Sequence, residues 1–139
     1  MITLFNKIFS RSKNLNSSNL AFQNLKKEKE IEKIFKVISE FSDNSEIRYV
    51  GGCVRKIINY QKVDDIDFAV NLNPNEILEI FKKNNIQFYQ TGVEHGTITA
   101  LINKKKFEIT SLRKDVSTDG RHAKVEFSKD WYEDASRRD

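Results

Sequence analysis

The chain has 139 residues, a formal charge of +4, and 24 Lys and Arg against 20 Asp and Glu. That length gives one domain with a modest core, and the basic balance (pI about 9.1) suits a nucleotide or nucleic-acid partner without amounting to a polycationic tail. The single cysteine, Cys53, excludes an internal disulfide and gives no cysteine metal spacing, which points to a reducing compartment such as the cytoplasm, and no apolar run approaches the ~20 residues of a membrane span.

In chain order, residues 1–23 read as a variable, flexible extension. Met1 to Phe9 has the pattern of a short amphipathic helix, and Ser10 to Asn19 is a polar linker. With Lys7, Arg11 and Lys13 and no acidic residue before Glu28, this stretch also resembles an organellar presequence, which leaves an organellar matrix as the alternative location. Residues 24–139 read as one catalytic unit. Asn24 to Phe41 is helical, with Ile31, Ile34, Phe35, Ile38 and Phe41 at the spacing of one buried stripe. Glu46 to Val50 is a first strand, Cys53 to Asn59 a helix, and Ile66 to Val70 a second strand. Asn73 and Pro74 supply an N-cap and a first-turn proline for the helix Asn75 to Lys83. Ile86 to Thr91, Thr97 to Ile102 and Phe107 to Arg113 are three more strands, the last two joined by a tight basic turn, Asn103 to Lys106. Lys114 to Lys124 is polar, with Gly120 in its middle, and reads as an exposed mobile loop. Val125 to Phe127 resumes as strand. Lys129 to Asp139 reads as the first turns of a helix, with no cap or stop signal at its end, which suggests truncation.

The chemistry concentrates between Tyr49 and Val70. Gly51-Gly52, between a strand and a helix, allows a tight bend and close approach to a ligand. The helix start that follows would point its N–H groups at a phosphate. In an extended segment Asp65 and Asp67 project to one face. Two carboxylates beside a phosphate cradle call for a hard cation such as Mg²⁺. An Asp-x-Asp alone is weak, but the glycine pair and the place of these residues at a strand head favour the metal reading over a solvated pair. Asp64 is a turn residue. Glu108 is either a third acidic ligand or one half of a cross-strand ion pair with a lysine. Arg55, one turn after the glycines, fits phosphate oxygens bidentately, and Arg113 and Arg121 flank the polar loop. His95, in Glu94-His95-Gly96-Thr97, reads as a turn-stabilising residue, and Cys53 as a packed one. The arrangement indicates metal-assisted phosphoryl or nucleotidyl transfer.

These residues resemble a known family. The stretch GGCVRKIINYQKVDDIDFAV is similar to the first motif of the class II tRNA nucleotidyltransferases and bacterial poly(A) polymerases, within the polymerase-β superfamily. That motif runs Gly-Gly-x-Val-Arg-Asp, a spacer, then Asp-x-Asp. His95-Gly96-Thr97, Phe107 to Arg113, Asp119-Gly120-Arg121 and Asp134 to Asp139 match later strands, a flexible loop carrying Arg113, Asp119 and Arg121, and the start of a second motif. The resemblance spans about residues 30 to 139. It implies an α/β (α+β) head with a mixed five-stranded sheet backed by helices. Asp65 and Asp67 would hold two Mg²⁺ ions, and Gly51, Gly52 and Arg55 would cradle a triphosphate. Arg138 and Asp139 would lie near the ribose. The implied substrates are CTP or ATP and the 3′ end of tRNA or another RNA, with tRNA CCA addition the leading activity and no membrane partner. The chain departs from the family in carrying Lys56 where the motif has Asp, and in ending inside the second motif, before the neck, body and tail. Poly(A) addition, nucleotidylation of a protein, an inactive fragment, and a half that needs a separately encoded neck, body and tail chain remain the alternatives.

Overall fold

The computed structural model describes residues 20–63, 65–118 and 123–138. The expectations for residues 1–19, Asp64, Asp119, Gly120, Arg121 and Asp139 lie outside them. Helix α1 (Lys29–Ser39) is followed by β1 (Ile47–Val50), α2 (Gly52–Ile58), β2 (Asp67–Val70), α3 (Pro74–Lys83) and β3 (Gln87–Gly92). After a 3₁₀ turn (Val93–His95) come β4 (Thr97–Ile102), β5 (Lys105–Ser111), β6 (Arg113–Thr118), β7 (Ala123–Phe127) and α4 (Trp131–Ser136). The helical pattern expected from Asn24 starts earlier and is interrupted. Residues 20–26 are already helical, and a turn at 27–28 precedes α1. Phe22 packs on Tyr49 with ring centroids 5.3 Å apart.

The main sheet has five strands in the order β1-β2-β5-β4-β3. β2 and β5 run parallel and the other pairings are antiparallel. A parallel pair needs a long crossover, and here α3, β3 and β4 supply it. The helices bury one face of the sheet. Ile31, Ile34 and Ile38 of α1 and Ile77 and Phe81 of α3 are fully buried with Phe68, Val70, Ile98 and Ile109 of the strands. Each such side chain contributes about 1.5–3 kcal/mol through burial. The alternate strand positions therefore face away from this core.

Local chemistry explains the boundaries. Asn73 Oδ1 accepts from the Glu76 amide at 2.9 Å while Glu76 Oε1 accepts from the Asn73 amide at 3.1 Å, a capping box that starts α3 beside Pro74. The basic turn is tighter than expected. Asn103 and Lys104 both take positive φ (50° and 66°), the two-residue turn that matches strand twist, and β5 begins at Lys105.

The expected mobile loop from Lys114 to Lys124 is corrected by the structure: its described residues form β6 and the start of β7, a separate two-stranded ribbon. Val116 and Phe127 are 48% and 40% exposed. A ribbon whose described side chains are largely exposed needs no alternation of polar and apolar residues, so its sequence looks like a loop. One contact seats it on the sheet. Gly96 has φ +77°, and a Cβ there would lie 2.6 Å from Phe127 Cε1 and 3.3 Å from Ser111 Cβ. Only glycine fits between turn and ribbon, which gives His95-Gly96-Thr97 a packing reason.

Candidate active site

The parallel seam creates the acidic part of the site. β2 and β5 place Asp67 and Glu108 directly opposite each other, and both point away from the helical core. Asp65 precedes β2 and lines the same cleft, of about 690 Å³, with Asp67 and Glu108. Burial, then repulsion from Asp65, pushes the Asp67 carboxyl above its ordinary value. Burial, then repulsion from Asp67 and Asp65, does the same for Glu108. Glu108 sits opposite Asp67 across the seam and has no lysine partner among the described residues, so of its two readings the geometry brings it to the aspartates. The donors are all hard carboxylate oxygens and repel one another without a cation, which is the chemistry a Mg²⁺ ion suits. Among the described residues no three such side chains already converge at ligating geometry.

Gly51 ends β1 with φ +76°, and a Cβ there would lie 3.3 Å from Asp67 Oδ2. Its hydrogen is thus required twice, by the backbone bend and by the carboxylate beneath it. Gly52 has nothing within 4 Å of its Cβ position, so the space there is open. Cys53 is buried, as expected of a packed residue, with its thiol 3.1 Å from the Val50 carbonyl. Lys56 lies in the last turn of α2 beside Arg55, where positive charge suits the helix dipole.

A basic part adjoins the acidic one. Gly51, Asp67 and Glu108 share a cleft with His95, Arg113, Arg137 and Arg138. Gly51, Arg137 and Arg138 continue into a second cleft, of about 600 Å³, that Arg55 also lines. Arg113 belongs to the first residue of β6, not to a mobile loop, and its Nη1 donates to the His95 carbonyl at 3.4 Å. The exposed His95 follows the expected turn and lies beside the site.

The residue that organises the basic part escaped the sequence reading. Asp134 is 3% exposed. It accepts from Arg137 Nη2 at 3.0 Å, from Arg138 Nε at 2.6 Å and from the Arg113 amide at 3.1 Å. Burial alone would raise its carboxyl, but the Arg138 and Arg113 hydrogen bonds and the two guanidinium charges hold it below the ordinary value. Its i, i+3 and i, i+4 spacing to the arginines at the C-terminal end of the helix was a usable signal. Asp134 leaves donors to spare. Arg113 Nε, Arg137 Nε and Arg138 Nη2 are buried without an acceptor among the described residues. Burial, and then the Arg137 charge, also presses the Arg113 pKa below its usual value. Crowded guanidinium groups with unused donors call for an anion.

A profile described as the Poly A polymerase head domain matches residues 47–139. The chain belongs to the poly A polymerase head-domain family. This head domain is 50% identical over 98 residues to the human CCA tRNA nucleotidyltransferase 1, mitochondrial, covering 70% of this chain and 23% of that protein. It is 36% identical over 106 residues to the CCA-adding enzyme of Staphylococcus aureus, covering 74% and 26%. Among solved structures it is similar to the Bacillus stearothermophilus CCA-adding enzyme in complex with CTP, with a TM-score of 0.62 and 25% identity over 81% of this chain and 26% of that one. A tRNA nucleotidyltransferase complexed with a primer tRNA and an incoming ATP analog gives a TM-score of 0.54 and 26% identity, over 76% of this chain and 28% of that one. The chain thus spans about a quarter of the length of the curated relatives it matches.

Proposed function

We propose that this chain is the catalytic head of a template-independent RNA nucleotidyltransferase that adds nucleotides from CTP and ATP to tRNA 3′ ends, in CCA addition. The observation that carries the reading is the division of one groove into a carboxylate cluster and a guanidinium cluster with unused donors, meeting at Gly51. The relatives named CCA-adding enzymes, and the similar structures holding CTP or primer tRNA with an ATP analog, support the same substrates.

In this reading Asp65 and Asp67, with Glu108 beside them, would hold Mg²⁺, which would supply a lowered pKa at the RNA 3′-hydroxyl and charge stabilisation for the leaving pyrophosphate. Gly51 and Gly52 let the triphosphate approach the backbone. Arg55, Arg113, Arg137 and Arg138 neutralise its oxygens, and Arg138 with Asp139 contacts the ribose.

The test is Mg²⁺-dependent incorporation of labelled CTP and ATP into tRNA lacking its 3′ end. Incorporation that Asp65→Ala/Asp67→Ala abolishes is the expected result, and the nucleotide used separates CCA from poly(A) addition. A double variant as fast as the wild type would refute the assignment.

Among the described residues no helix is long and apolar enough to cross a membrane. The mitochondrial designation of the human relative is compatible with the organellar alternative to a cytoplasmic location. Import of a fluorescent protein fused to residues 1–23 is expected on that reading, and a diffuse cytoplasmic signal would reject it.

A further inference from the structure

In-line transfer to a phosphate puts the attacking and leaving oxygens on opposite sides of phosphorus. On the transferase reading, on which this inference rests, the arginines take the pyrophosphate on one side of Asp67 and Glu108. The acceptor must then arrive from the other side. That side is not a blank surface. The pairing Asp67↔Glu108, Glu108↔Thr99, Thr99↔Tyr89 sets these residues in one row across four strands. Lys106 lies two positions from Glu108 on the same face of β5. Tyr89, Thr99 and Lys106 line the 690 Å³ cleft together with the carboxylates.

Tyr89 is 42% exposed and has no ring or hydrogen-bond partner among the described residues. Lys106 is exposed and forms no ion pair among them, whereas the neighbouring Lys105 is engaged by Glu28 and Glu30. An accessible aromatic face with a free cation beside it is the equipment for a stacked base and its phosphate. With strands ~4.8 Å apart, Tyr89 lies roughly 10 Å from Glu108 and 14 Å from Asp67 along the row. That is the span of a terminal nucleotide and its neighbour.

We propose that the Tyr89–Thr99–Lys106 cleft is the acceptor subsite. It holds the single-stranded RNA 3′ end, with Tyr89 stacking the base that precedes the terminal nucleotide and Lys106 meeting the phosphate between them. The row from Tyr89 to Asp67 then sets how far the strand enters before its hydroxyl reaches the carboxylates.

The test uses the full chain, Mg²⁺ and a short single-stranded RNA with a free 3′-hydroxyl and a photoreactive thiouridine next to its 3′ end. Cross-linking to the peptides carrying Tyr89 or Lys106 is expected. In parallel, Tyr89→Ala is expected to weaken RNA binding roughly tenfold, with Tyr89→Phe retaining it and CTP affinity unchanged in both. Cross-links at Gly51 to Arg55 or at Arg137 and Arg138, no cross-link, RNA affinity indifferent to Tyr89→Ala, or loss of CTP affinity in that variant would each overturn the proposal. Failure of the transferase reading shows elsewhere, as CTP and Mg²⁺ binding that ignores Asp65→Ala/Asp67→Ala.

Discussion

Removing the carboxylate of Asp134 should damage both the fold and the anion site, and the two losses can be separated. The residue is 3% exposed and bonds two guanidinium groups whose side chains are only 16% and 28% exposed. Breaking a buried pair by deleting one partner costs about 3–5 kcal/mol. The arginines' residual access to water places Asp134→Ala at the low end, near ~3 kcal/mol. For a domain of this size that is a fall in melting temperature of roughly 10–15 °C. Asp134→Asn keeps the acceptor for the Arg113 amide and loses the charge, so its fall should be about half as large. The pH dependence has a definite sign. The folded-state pKa of Asp134 lies below its ordinary value, so its contribution is complete above the unfolded pKa. It drains away as pH falls below about 3.8 toward the depressed folded value. Calorimetry of both variants from neutral to strongly acid pH reads the stability arm, and the gap to wild type should narrow in acid. Equilibrium binding of CTP reads the other arm, with a loss of roughly tenfold as Arg137 and Arg138 lose their orientation. An Asp134→Ala protein that melts with the wild type and binds CTP equally well would refute the clamp.

Other substitutions probe the site and its supports. Gly51→Ala forces an L side chain into φ +76° against Asp67 Oδ2; a cost of about 1–2 kcal/mol and weakened Mg²⁺ binding should both be measurable by calorimetry. Gly96→Ala should lower the melting temperature through its clash with Phe127, and Phe127→Ala in the same chain should recover part of the loss; no recovery would disprove that contact. Asp67→Asn relieves repulsion within the carboxylate cluster, so without metal it should raise stability by about 1 kcal/mol, and the stabilisation expected from Mg²⁺ in the wild type should be lost in the variant. Lys56→Asp puts negative charge in the last turn of α2 and should lower stability by about 0.5–1 kcal/mol; a gain would instead show that the family's acidic residue has a partner here.

How legible the protein was in sequence depended on whether a residue's surroundings were local. The buried stripe of α1, the capped start of α3 and the strands of the main sheet follow from periodicity and from Asn73-Pro74, because one packed face dictates each pattern. The Asp65 and Asp67 pair stood out by spacing, and Gly51 by its position between strand and helix. Glu108 stayed ambiguous because its neighbour is set by a parallel pairing across a long crossover, which no local pattern records. The β6–β7 ribbon was misread because its described side chains are largely exposed. Asp134 was passed over because a charged residue on a short helix is normally solvated, and only the tertiary position of Arg113 shows that this one is not.

The parallel seam between β2 and β5 also fixes an order of events. Asp65 and Asp67 leave the ribosome well before Glu108, with a helix and two strands made in between. A nascent chain that has produced β2 therefore carries a carboxylate pair with no third member and a strand whose outer edge lacks its partner. The acidic cluster is complete only when β5 slots between β2 and β4 in the middle of the sheet. On the proposed Mg²⁺ reading, tight metal capture would wait until the sheet is whole, and cation binding would be a readout of finished folding rather than a nucleus for it.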